Sequence, residues 1–267
     1  MKSRRALLKN ISLLGLFTFI PTLLSARTLD DLEFTAANKR KTLIKKKFSI
    51  KKSFDYFDYD FIDDMGFGML RVIDDFEMGF LAGTPVHPHK KIEILTIVLE
   101  GELYHQDNFG NSGLIKAGDY QIMSAGSGLK HAEINPSQMF KSKGLQIWIS
   151  STNKIGKAHY DTKKGSQFNL HNQFTPIVNR SGDNALKIEQ NARILRGQFD
   201  TKQTLLHKIE SSENGIYIFI IEGSVQFKDR VLTKGDGLGI AKLSQIELTI
   251  EANSDVLLFE VPKEGEF

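Results

Sequence analysis

The sequence predicts an all-β protein of two tandem barrel-like domains, and three observations carry that expectation. Short runs rich in β-branched and aromatic residues, such as Ile92 to Leu99 and Gly215 to Ile221, are bounded by glycine, asparagine and aspartate turns. Their spacing is that of antiparallel strands in a sandwich or barrel, with no alternation of strand and helix patterns. One pattern also recurs: an apolar strand ending in Glu-Gly, a second strand, then Gly-Asp. It occurs at Glu100-Gly101 and Gly118-Asp119, and again at Glu222-Gly223 and Gly235-Asp236.

Taken in order, residues 1–26 read as an export signal. Lys2, Arg4, Arg5 and Lys9 precede an apolar run from Ile11 to Leu24, and Ser25-Ala26 offers a small-residue cleavage point. That run is 14 residues long and broken by Pro21, short for a spanning helix. Ser3-Arg4-Arg5-Ala6-Leu7-Leu8-Lys9 resembles a twin-arginine signal, a route for folded proteins, which implies a periplasmic protein loaded with metal before export. A cytoplasmic or N-terminally anchored protein is the alternative. The signal holds 4 basic residues and no acid, so the remainder carries 31 basic against 32 acidic residues, a net charge of −1. The pI near 8.8 is therefore no evidence for nucleic acid as a partner. With no cysteine, disulfides, thiolate metal sites and cysteine nucleophiles are excluded.

Residues 27–53 are a basic lead-in (Lys39-Arg40-Lys41, Lys45-Lys46-Lys47, Lys51-Lys52), expected as a solvated arm or edge strand. The first domain is expected over 54–150. It opens on the aromatic-acidic run Phe54 to Phe61 and closes with a strand at Leu145-Gln-Ile-Trp148. Phe67, Met69, Phe80 and Met123 read as ordinary core. Residues 151–190 form a polar connector with a strand or two, and 191–267 form the second domain.

The chemistry gathers between Gly83 and Glu133. His87 and His89 stand one residue apart, as do His131 and Glu133, and alternate residues of a strand point to the same side. Three imidazoles and a carboxylate suit one borderline divalent metal such as iron, copper, nickel or zinc. Glu93, four residues after His89, is the rival carboxylate, and spacing alone leaves both open. His105 is read as a supporting or structural residue. The second repeat lacks both ligand pairs; its one histidine, His207, is read as a surface or packing residue, so one metal site is expected, in the first barrel.

These residues closely resemble the pirin family of two-cupin (bicupin, jelly-roll) proteins, in particular its bacterial quercetin 2,3-dioxygenase-like branch. The resemblance rests on His87-Pro-His89 with Glu93, Val98-Leu99-Glu100-Gly101, His105-Gln-Asp107, Asp119 to Gly126, His131-Ala-Glu133, Leu145-Gln-Ile-Trp148, Gly235 to Ile240 and Val256 to Phe259. It covers roughly Phe54 to Pro262. It implies metal ligands at His87, His89, His131 and Glu133, with Fe(II) as the metal and copper, nickel, cobalt, manganese or zinc as alternatives. It further implies oxygen-dependent ring opening of a flavonol-like aromatic; a carboxylate beside the metal would accept the substrate hydroxyl proton, and Glu133 is the candidate, as ligand and base together. A small aromatic molecule and dioxygen are thus the expected partners. No nucleic acid and no membrane span in the mature form are expected, and the choice between monomer and homodimer stays open. Lys90-Lys91, where many pirins have Arg-Gly, and the export signal depart from the family pattern. A non-enzymatic iron protein acting as redox sensor or partner-binding module is the alternative reading.

Overall fold

In the computed structural model, residues 32–54, 66–151 and 156–263 are described. The expected signal at 1–26 and most of the aromatic-acidic run after Phe54 lie outside them. Among the described residues, 22 strands, β1 to β22 in chain order, form four sheets, two to each of two sandwiches.

The larger sheet of the first sandwich has seven strands. Across it they run β12 (His159–Lys163), β9 (Tyr120–Ser124), β6 (Ile92–Glu100), β11 (Ser142–Ser150), β4 (Leu70–Met78), β3 (Phe48–Lys52) and β2 (Lys41–Lys45). Its four-stranded partner runs β5 (Gly83–His89), β10 (Leu129–Ile134), β7 (Glu102–Asp107) and β8 (Ser112–Lys116). The second sandwich repeats this order. Its larger sheet runs β1 (Leu32–Thr35), β20 (Gly237–Ile240), β17 (Asn214–Glu222), β22 (Ser254–Pro262), β15 (Arg193–Phe199), β13 (Thr175–Asn179) and β14 (Leu186–Lys187). The smaller runs β16 (Gln203–Lys208), β21 (Gln245–Ile250), β18 (Ser224–Phe227) and β19 (Arg230–Thr233). The Glu-Gly repeat marks the same turn in both halves: Gly101 and Gly223 take φ of +71° and +76°, where a Cβ would meet Lys141 O and Ser254 Oγ.

The basic lead-in, expected as a solvated arm or edge strand, supplies edge strands: β1 pairs with β20 of the second sandwich, while β2 and β3 extend the first. The limits of the connector change, since β12 joins the first large sheet while β13 and β14 already belong to the second. Short edge strands carry weak apolar periodicity, which is why the sequence does not disclose their sheets.

The two larger sheets pack face to face. Along β6, Leu95 and Ile97 enter a core cluster shared with Tyr217, Phe219, Leu257 and Phe259 of the second half. Ile92, Ile94 and Val98, on the opposite face of β6, fill the inside of the first sandwich. Both faces of β6 are thus covered, so it reads as a mostly apolar run, interrupted by Glu93 and Thr96. Phe67 and Met69 lie in the shared core and Met123 in the first sandwich, as expected, but Phe80 is 42% exposed.

Candidate metal centre

The inward positions of the small sheet carry the polar chemistry. β5 is an edge strand, which tolerates Pro85 and Pro88, and its alternation turns His87 and His89 to one side. On β10 the buried positions are Leu129, His131 and Glu133; on β7 they are Leu103, His105 and Asp107. Register places His131 opposite His87 on one side, and Glu133 opposite His105 on the other. At the equivalent face of the second sandwich, β21 buries Ile246, Leu248 and Ile250. Mostly aliphatic side chains fill that interior. His207 bonds the buried Glu260 there, at 2.7 Å, with Arg193 also paired to that carboxylate.

His87, His89 and His131 offer ring nitrogens that all lie within 4.8 Å of one another. Ring centroids are 4.4 Å apart for His87 and His131, and 4.9 Å for His89 and His131. His87 Nδ1 lies 2.8 Å from the Pro85 carbonyl, which sets that nitrogen as the donor and leaves Nε2 free. Nε2 of His89 and both ring nitrogens of His131 are buried with no hydrogen-bond partner among the described residues. Burial, reinforced by the neighbouring imidazoles, lowers His89 to about 4 and His131 to about 2, so both rings are neutral at pH 7. Unpaired buried nitrogens on neutral rings are costly unless a cation takes them, so the residues present fit a borderline divalent metal.

The two rival carboxylates are separated by the fold. Lys91 takes φ of +57° in the turn after β5, so Glu93 sits on β6 of the opposite sheet. It shares the face of Leu95, turned to the second half, and accepts from the Ser124 hydroxyl. Glu133 points inward. Burial pushes its carboxyl up, against hydrogen bonds from Gln121, Gln146 and Thr96. Gln121 Nε2 donates to Oε1 at 2.8 Å and Gln146 Nε2 to Oε2 at 2.7 Å, while the Trp148 indole donates to Gln146 Oε1 at 3.2 Å. In ligand-atom distance Glu133 groups with His105 and His131 rather than with His87 and His89.

Sequence reasoning assigned no role to the two glutamines, to Tyr160 or to Asp107. Gln121 and Gln146 were legible as inward polar positions in otherwise apolar strands. Tyr160, stacked on His105 at 4.7 Å and 13°, comes from a polar edge strand and gave no signal.

Comparison with known proteins agrees with this architecture. Residues 34–149 match the Pirin family model and residues 177–261 that of the quercetinase C-terminal cupin domain. A quercetin 2,3-dioxygenase of Escherichia coli (strain K12) is 35% identical over 213 residues, 78% of this chain and 87% of that protein. A pirin-like protein of Caulobacter vibrioides is 32% identical over 212 residues, 79% and 90% of the two chains. Among solved structures, the bacterial pirin YhhW of Escherichia coli in complex with nickel(II) superposes with a TM-score of 0.80 at 32% identity. It covers 86% of this chain and 99% of that one. The chain belongs to the pirin family, with two cupin-type domains.

Proposed function

We propose that this member of the pirin family is a metal-dependent dioxygenase that opens the heterocycle of flavonol-like aromatics with dioxygen. The observation that carries the proposal is the convergence of His87, His89 and His131, with His89 and His131 buried, neutral and short of partners, and with Glu133 on the next inward position of β10. Support comes also from relatives named quercetin 2,3-dioxygenase and from a nickel(II) complex of a similar protein.

In this reading His87, His89, His131 and Glu133 hold one divalent transition metal, Fe(II) being our assignment. The metal supplies Lewis acidity toward a substrate hydroxyl and a place for dioxygen. Glu133 takes the proton of that hydroxyl: its burial makes it a stronger base than an exposed carboxylate, and the two glutamine amides fix the direction of its oxygens. Ile94, Met123, Leu129 and Trp148, packed beside the histidines, keep water from the reacting atoms. The neutral imidazoles of His89 and His131 bind without first releasing a proton at pH 7. Action in the periplasm, from the signal at 1–26, is part of the proposal.

The test is oxygen uptake measured together with loss of quercetin absorbance, on protein loaded with each candidate metal in turn. Coupled consumption that disappears in His131→Ala is expected. A metal-loaded protein inert with every metal and with a panel of flavonols and catechols would overturn the enzymatic reading.

A further inference from the structure

The fold places a second set of donors directly behind the first. His105, His131 and Glu133 also bring their ligand atoms within 4.8 Å of one another, and all three are buried. His105 turns Nε2 toward Asp107 Oδ2 at 3.7 Å, longer than a hydrogen bond, and both of its ring nitrogens are buried without a hydrogen-bond partner among the described residues. Asp107 is itself pinned: Phe109 N and Asn111 N donate to Oδ1 at 2.9 and 3.0 Å, and Asn111 Nδ2 donates to Oδ2 at 2.8 Å. The ring of Tyr160 lies flat against His105, so the imidazole is braced on one face as well. A structural histidine would have its nitrogens bonded to the protein. This one is oriented and then left open toward His131 and Glu133.

Two imidazoles and one carboxylate with open positions form the donor set typical of non-haem Fe(II) oxygenases. We propose, resting on the metal-binding reading above, that the first barrel has an inner ion position formed by His105, His131 and Glu133. It overlaps the outer position formed by His87, His89, His131 and Glu133. His131 and Glu133 belong to both, so the two are alternatives for one ion.

The experiment uses the full chain and Co(II) alone as the probe, read by titration calorimetry and the visible absorption of bound cobalt. The double variant His87→Asn, His89→Asn removes the outer set. It is expected to keep one Co(II) per chain, and adding His105→Asn is expected to weaken that binding by about 10-fold or more. A folded double variant that binds no Co(II), while the parent does, overturns the inner position. A parent that binds no Co(II) overturns the metal-binding reading itself. Should the double variant fail to fold, His105→Asn in the otherwise native chain decides: an altered cobalt spectrum supports the inner position, and an unchanged spectrum and affinity overturn it.

Discussion

Burial prepares His89 and His131 to hold a cation, and the same burial makes the metal-free protein sensitive to acid. A histidine in the unfolded chain titrates near 6.5, while folded His89 and His131 titrate at about 4 and about 2. Between those values the unfolded chain binds protons that the folded chain does not, so stability is full above pH 6.5 and falls as the pH falls. From pH 6.5 to 5, before most carboxylates titrate, each histidine costs on the order of 2 kcal/mol. In the presence of a chelator the melting temperature should therefore drop across that window, and drop less in His89→Asn; a flat parent profile would contradict the burial argument. A second prediction concerns Gln146, whose amide holds Glu133 Oε2. Gln146→Ala should weaken metal binding by about 10–100-fold, as loss of a group orienting a ligand does. Competition with a chromophoric chelator measures this, and unchanged affinity would mean that Glu133 needs no such support. Period-2 spacing made it legible that His87 pairs with His89, and His131 with Glu133, on one strand face. That Glu93 lies away from them was not legible, because the turn at Lys91 that carries it onto the opposite sheet leaves no mark in the spacing.

At the scale of elements, the repeated Gly-Asp turn has a physical task that the repeat alone did not disclose. Asp119 Oδ1 accepts from Gly165 N at 3.0 Å, just after β12, and Asp236 Oδ1 accepts from Ala37 N at 2.7 Å, just after β1. Gly118 and Gly235, at φ of +89° and +83°, make the turns that present these carboxylates. Each barrel thus anchors the strand that closes the edge of its larger sheet. In the second barrel that strand comes from the N-terminal arm, and in the first from the connector. Asp236 also accepts from the Thr233 backbone and hydroxyl, so it ties turn and arm together. Asp236→Ala should cost about 1.5–3 kcal/mol, the range for hydrogen bonds to a charged group. Urea denaturation would record it, together with faster proteolysis near β1. A change within about 0.5 kcal/mol would show the arm to be held by its strand pairing alone. The strongly apolar strands β6 and β17 announced the barrels in the sequence, whereas the short, half-exposed strand β1 gave no hint of its destination because register with β20 lies in backbone hydrogen bonds.

For the whole molecule, the decisive fact is that the shared core is divided evenly between the halves. Its buried members include 12 side chains from before Ser150, Phe54 to Ile149, and 13 from after it, Phe168 to Val261. Each half alone would turn that apolar face to water. At about 1.5–3 kcal/mol for each large apolar side chain exposed, the loss exceeds the roughly 5–15 kcal/mol that holds a typical domain folded. Neither cupin domain is therefore expected to fold alone, even though each has its own sandwich. The tandem arrangement is in this sense a scaffold: a second barrel without ligands supports the outer face of the sheet whose inner face carries Gln121 and Gln146. Chains cut between 151 and 156 should be insoluble when expressed singly and should reassemble when expressed together, since β12 travels with the second fragment and restores the edge of the first sheet. Calorimetry of the intact protein should show one transition, moved upward as a whole by metal, because a cation held only in the first sandwich stabilises everything that unfolds with it. Two separate transitions, with only the lower or only the upper one moved by metal, would show that the halves unfold independently and that the common core contributes little.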